Sequence, residues 1–281
     1  FGEFDDDSGI WKPKEYTGNY GNNGFYLDFK DSSNLGNDAF GDTDLTEVNL
    51  AATDQSTDTC TNNFCTLNPL TKRPTANGTI AEGNLQYTAS TGDSSIFGTM
   101  AISPGMKVYF EVKLVSNTAQ NAIGIHNVYD GGDGAFIKGG GEAGTYSFKP
   151  RGSSSVTQYF NNGSATNHSI DNVANDTIIG VAVDNANGQI HYSIAGTYIN
   201  SSDPTDNNPV ALVTGFGGAN EQYLHFSLDT TSTQPSNQFN FGSPPYSESG
   251  GESDADGHGN FNQAVPSGYF ALCTKNLAEY G

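Results

Sequence analysis

Apolar residues recur at alternate positions in short runs along this chain, and Gly, Asn, Asp, Ser and Thr fill the gaps between the runs. The clearest run is 107–115, where Val108, Phe110, Val112 and Leu114 share one face and Tyr109, Glu111 and Lys113 the other. In that register Glu111 reads as a solvent-side surface residue. Shorter alternating runs follow at 84–88, 96–100, 122–125, 145–148 and 156–160. Residues 177–184 are apolar at nearly every position, the pattern of a buried strand, and they lead through Asn185-Ala186-Asn187-Gly188 into the run 189–194. Asn-Gly between two β-rich runs is the strongest short-range signal for a hairpin. Further strands are expected at 210–213, 223–228 and 238–241, and one more at 25–29 after an Asn-Asn-Gly turn. No stretch carries a convincing amphipathic helical period. Many short strands separated by turn residues predict an all-β sandwich or barrel.

The runs are unevenly spread. Residues 30–76 are dominated by Asp, Asn, Ser and Thr with only small apolar islands, so 1–79 reads as a mostly irregular arm with a short strand, suited to assembly or packing. Residues 80–281 read as the sandwich, with an acidic, Gly-rich insertion at 247–260. Composition agrees: 35 of the 281 residues are Gly, which supplies turns, while 17 Phe and 14 Tyr supply bulk for a core.

Charge narrows the partners. The chain carries 11 Lys and Arg against 31 Asp and Glu, a net charge of −20, and its two arginines are Arg73 and Arg151. Nothing here forms the basic stripe that phosphate neutralisation requires, so nucleic acid is excluded as a partner. No apolar run approaches the roughly 20 residues of a membrane helix, which argues against membrane insertion. The chain opens on Phe1 without a signal-peptide pattern and reads as processed, truncated or part of something longer. Of three cysteines, Cys60 and Cys65 are spaced either to close a small disulfide loop or to sit as ordinary residues in a turn.

Candidate chemistry is sparse. Neither Gly-x-Ser-x-Gly nor His-Glu-x-x-His occurs, and His126, His168, His191, His225 and His258 lack metal-ligand spacing. His191 and His225 lie on expected strands, where packing or surface roles are the cheaper reading. Glu111, Asp133, Glu142 and Asp184 are candidates for a glycosidase pair by residue type alone. No catalytic residue is assigned, and the chain is expected not to be an enzyme. A structural calcium ion is the one cofactor considered: Asp254 and Asp256 in Asp254-Ala255-Asp256-Gly257 resemble the start of an oxygen-ligand loop. No acid stands at the twelfth position, so solvated acidic loops are the preferred reading. The sequons, among them Asn162-Gly163-Ser164, are what a chain this rich in Asn, Ser and Thr produces by chance.

Several segments resemble a known family. Residues 106–112 look like the Tyr-Phe-Glu-Val strand of SPRY domains, and 179–193 resemble their Gly-Val…Asp…Asn-Gly hairpin. Residues 21–29, 34–38, 49–55 and 62–69 resemble a segment common in bacteriophage virion proteins, where it precedes a SPRY-like module. The closing stretches 239–242 and 266–273 are similar to the ending of those proteins. The pattern departs at Val108, where the family carries an aromatic, and at Ala195-Gly196, where it carries Asn-Gly. The resemblance implies a SPRY-like, concanavalin-like antiparallel β-sandwich with a long N-terminal arm. It implies a non-enzymatic virion structural protein on the particle surface: a tail fibre or spike component that presents the module for host-surface recognition. Its partners would be other virion proteins, further copies of itself, a trimer being usual for fibres, and a host glycan or protein. A capsid decoration or head-fibre protein is the alternative, and a polysaccharide-degrading spike domain a third reading. SPRY modules bind through variable loops, which makes Tyr129, Asp130, Asp133, Phe136 and Tyr198 the candidate ligand-binding residues here.

Overall fold

A computed structural model describes residues 2–4, 6, 9, 11–14, 16–41, 43–59, 61–72, 78–89, 94–118, 120–127, 143–151, 156–206, 213–216, 221–229, 234–247 and 249–281. The chain divides into two compact units, Phe1–Asn63 and Phe64–Gly281. The boundary therefore falls earlier than the pattern of strands suggests.

In the first unit, β1 (Gly2–Phe4) and β2 (Trp11–Pro13) pair antiparallel. The strand expected at 25–29 is absent. Its alternation has no buried face to serve, since Phe25 and Phe29 are about half exposed. The segment is tied locally instead: Tyr26 donates its N–H to Asp38 Oδ1 and accepts from Ala39 N.

Among its described residues the second unit holds fifteen strands in two sheets, from β3 (Thr79–Ala81), β4 (Gln86–Thr88), β5 (Ser94–Ile102), β6 (Lys107–Ser116), β7 (Gln120–His126) and β8 (Thr145–Lys149), through β9 (Val156–Asn161), β10 (Ser164–Asp171), β11 (Ile178–Asp184), β12 (Gln189–Ile194) and β13 (Thr197–Tyr198), to β14 (Val213–Thr214), β15 (Gln222–Asp229), β16 (Ser236–Asn240) and β17 (Phe270–Ala271). One sheet runs β10-β9-β8-β7-β15-β5. The other runs β13-β12-β11-β6-β16-β4-β3, with β14 added to β12 and β17 lying parallel against β6. All other pairs are antiparallel, so the architecture is the expected antiparallel β-sandwich. The helix α1 (Thr274–Tyr280) closes the chain, a helix that the apolar pattern does not announce.

Alternation places the main core between the sheets. Val108, Phe110, Val112 and Leu114 of β6 pack with Val181 and Val183 of β11 and Tyr192 of β12, facing Ile123, Ile125, Phe148 and Phe226 of the opposite sheet. Residues 64–67, assigned by sequence to the arm, belong here as well. Phe64 bridges to Cys273, Leu67 bridges to Gly98, and Cys65 and Leu67 join the core. Cys65 is a fully buried thiol whose ionisation burial pushes up to about 11, so it is a core residue rather than a turn residue. Cys60 lies outside the described residues.

The second sheet is buried on its outer face too. Phe261, Tyr269, Ala271 and Cys273 from the C-terminal segment pack on Tyr109 and Ala182. This cover is organised by Asp254, whose side chain is 5% exposed. Its Oδ1 accepts the N–H of Asp256 and His258 at 3.0 and 2.8 Å. Its Oδ2 accepts the N–H of Ala271 at 2.9 Å and Asn276 Nδ2 at 2.8 Å. The reading of 254–257 as a solvated loop thus fails at Asp254. The carboxylate offers about four lone-pair sites, and four donors of the cover fill them. Asp256, by contrast, is exposed and accepts Tyr280 Oη at 2.8 Å.

Candidate functional site

The outer face of the second sheet carries the polar chemistry of the molecule. Every second residue of β6, β11 and β12 points there: Tyr109 and Glu111, Gly180, Ala182 and Asp184, His191 and Ser193. Glu111, expected on the surface, is fully buried. The alternation correctly put it on the face away from the main core, but that face is roofed by the C-terminal segment. Burial raises its carboxyl above the usual range, opposed by the donors that surround it: the N–H groups of Asn262 and Gln263, Asn240 Nδ2 and Tyr109 Oη.

At the edge of this roof lies a groove of about 740 Å³. Three stretches far apart in sequence form it: 175–178 entering β11, Ala195, Gly196 and Tyr198 around the β12–β13 turn, and 262–264 of the roof. Ile194 pairs with Thr197, so Ala195 and Gly196 form a two-residue turn with φ of +48° and +85°. Both signs are those of a type I′ turn, which suits the Asn-Gly of the resembled family better than Ala at the first position. The groove is lined by amides, one threonine, one phenol, the small apolar side chains of Ala195 and Ala264 with Ile178, and one carboxylate, Asp176, which stands 3.9 Å from Lys113 Nζ.

Gln263 is fixed at both ends of its side chain. Its Oε1 accepts Ser193 Oγ at 2.7 Å and its Nε2 donates to the Ile178 carbonyl at 3.2 Å. Asn175 Oδ1 accepts the Asn117 N–H at 2.8 Å. Tyr198 is half-buried, and no described residue hydrogen-bonds its hydroxyl. Burial, then the charges of Asp203 and Glu111, pushes its ionisation well above the ordinary phenol range, so it presents a neutral O–H donor and a ring face.

Of the residues singled out from sequence, Tyr198 lies in the groove. Tyr129, Asp130, Asp133 and Phe136, with Glu142, lie outside the described residues. Asp184 is not paired with a second carboxylate but with Lys107 Nζ at 2.8 Å, and it also accepts Asn187 N and Nδ2 at 2.9 and 2.8 Å. These bonds build the hairpin turn. Asn262 and Gln263 carried no signal in the sequence beyond residue type, and Asn175 stood out only as part of a sequon, because what unites them is a crossing of distant segments.

His191 is 1% exposed, and neither ring nitrogen has a hydrogen-bond partner among the described residues. Burial lowers its pKa below 6.5, with Asp184 and Asp203 opposing and Lys107 assisting. Between the lowered folded value and the ordinary value of the unfolded chain, the unfolded state binds more protons. The contribution of His191 to stability is therefore complete above about pH 6.5 and is lost as pH falls through the folded value. Urea midpoints measured from pH 7.5 to 5 should fall with acid in the parent protein. In His191→Gln that part of the slope should disappear.

No protein-family model matches the chain, and no curated protein matches it. Solved structures do. The chain is similar to the SPRY domain of human HERC1, at 9% identity and a TM-score of 0.44, covering 62% of this chain and 96% of that domain. It is similar to the TRIM65 PSpry domain at 11% identity and a TM-score of 0.44, covering 63% and 89% respectively. These likenesses concern the fold, and the groove is described from its own residues. Among the described residues no cluster of His, Cys, Asp and Glu is arranged to hold a metal ion, and no helix is long and apolar enough to cross a membrane.

Proposed function

We propose that the chain is a non-enzymatic recognition module of a bacteriophage particle, a tail fibre or spike component that binds a host-surface glycan through the groove beside Tyr198. The observation that carries the reading is the groove itself: about 740 Å³, rimmed by amides and one phenol, and built on strand ends and turns of a packed sandwich. Sugar faces stack on aromatic rings and their hydroxyls pair with amides and phenols, so this mixed lining offers both kinds of contact that a glycan uses. The particle context is supported by the resemblance of the 21–69 segments and the closing motifs to virion proteins. In that context the 1–63 unit serves attachment to other virion proteins, and copies assemble into an oligomer such as a trimer. A net charge of −20 keeps such an exposed protein soluble.

The test is an array of bacterial surface polysaccharides probed with the labelled full chain, alongside binding to intact cells. Tyr198→Ala should weaken the affinity for any glycan bound by about tenfold or more, the loss of one stacking face and one donor. Equal binding by the parent and Tyr198→Ala would remove the groove from the reading. Tight binding to capsids with no binding to cells or glycans would favour a decoration protein. Release of reducing ends from a polysaccharide would overturn the non-enzymatic assignment.

A further inference from the structure

We propose that Glu111 is the positioning residue of the groove, its buried carboxylate holding the 262–264 wall in register against the sheet. The proposal rests on the groove being the recognition site, but the hold itself is a property of the folded chain that is measurable without a ligand.

Glu111 sits on β6 at the centre of the sheet and is fully buried. No ion pair among the described residues involves it. Its charge is met by dipoles alone. Oε1 accepts the Gln263 N–H at 2.7 Å and Tyr109 Oη at 3.2 Å. Oε2 accepts the Asn262 N–H at 3.0 Å, Asn240 Nδ2 at 3.1 Å and Tyr246 Oη at 3.4 Å. Two of these donors are consecutive backbone amides of the groove wall.

A buried carboxylate is costly, and an apolar residue of similar size would hold a roof at less expense. What the carboxylate adds is direction. Each oxygen takes one of the two amides, which fixes the orientation of the wall as well as its proximity. The Gln263 side chain then drops onto the sheet toward Ser193 and Ile178. Space for it exists because residue 180 is glycine: a Cβ there would collide with Ser193 Oγ and stand 2.7 Å from both Gln263 Oε1 and Tyr109 Oη. Farther along, the roof is held by the apolar packing of Phe261 and Tyr269, by the pairing of Phe270 and Ala271 with β6, and by the Asp254 carboxylate, which accepts the Ala271 N–H. The groove wall is the part of the roof that Glu111 ties to β6 through two consecutive backbone amides.

Amide hydrogen exchange followed by NMR on the full chain tests this. In Glu111→Gln either orientation of the new amide aims an NH₂ at a backbone N–H, so the amides of Asn262 and Gln263 should exchange about 30-fold faster or more, and insensitively to low urea. Amides of β11 and β12 should keep their urea-dependent exchange through global opening. If both sets accelerate together and both remain urea-dependent, Glu111 merely adds global stability and the proposal falls. Unchanged protection at 262 and 263 overturns it as well. Should Glu111→Gln fail to fold, Glu111→Asp keeps the charge but falls short of the wall, and the same two amides should open. If they open while the parent binds no glycan on the array, the role of Glu111 stands and the recognition reading fails.

Discussion

Asp254→Asn should destabilise the folded protein by about 3 kcal/mol, although it only exchanges one carboxylate oxygen for an NH₂ group of similar size. The parent carboxylate receives two N–H donors on each oxygen: Asp256 and His258 on one, Ala271 and Asn276 on the other. A carboxamide presents an NH₂ on one side whichever way it is turned, so two donors always face a third. Turned toward Ala271 and Asn276, the conflict is fully buried, because those two residues are 0% and 1% exposed. Unsatisfied buried donors cost about 1–3 kcal/mol each. A loss of this size corresponds to a fall in Tm of roughly 6–12 °C for a unit of this length. Asp256→Asn is the control: its side chain is exposed and, among the described residues, its carboxylate accepts one hydrogen bond, from Tyr280 Oη, so its effect should stay within about 0.5 kcal/mol. Thermal unfolding followed by near-UV circular dichroism reads both. Equal effects at the two positions would show that the buried bonding of Asp254 is not what holds the cover.

Gly188→Ala should cost about 3 kcal/mol or more, read as a shift of the urea midpoint. Gly188 has φ of +63°, a conformation that already disfavours a side chain. Space is the larger obstacle, since a Cβ at this position would run into the carbonyl oxygen of Phe216. The turn would have to retreat from 213–216. It would then lose the Gly215 N–H to Gly188 carbonyl bond and the pairing of Gln189 with Thr214. Gly196 separates the two causes. Its φ is +85°, yet nothing stands within 4 Å of a Cβ built there. Gly196→Ala should therefore show the conformational cost alone, about 1 kcal/mol. If the two substitutions cost the same, the close approach to Phe216 does not constrain the turn.

The hairpin shows how far local reasoning reaches. Asn187-Gly188 between two β-rich runs called for a turn, and β11 and β12 pair from Asp184–Gln189 outward around 185–188. The same signal stood at Asn162-Gly163, where it was read only as part of a sequon. There Asn161 pairs with Ser164 across a two-residue turn with φ of +50° and +77°. Strand β10 escaped notice because Ser164–Asp171 is polar at all positions but Ala165 and Ile170 and lies at the edge of its sheet, mostly exposed. An edge strand with little to bury leaves little periodicity to read. The opposite error occurred at 25–29, where alternation was present without a partner strand to use it.

By itself the sequence determined the all-β class, the long strand at 107–115 with its two faces, and the central hairpin. These follow from period-2 burial and from turn chemistry confined to a few neighbouring residues, both of them local. It also raised Tyr198 as a residue of interest. Only the tertiary structure decided what lies over each face. The C-terminal segment roofs one sheet, and this turned Glu111 from a surface residue into a buried anchor and Asp254 from a solvated loop acid into a four-bond keystone. It also brought 175–178, 195–198 and 262–264 together around one groove. Alternation tells a residue which side of a strand it occupies. What covers that side is set by where the rest of the chain returns, and no window of sequence contains that information.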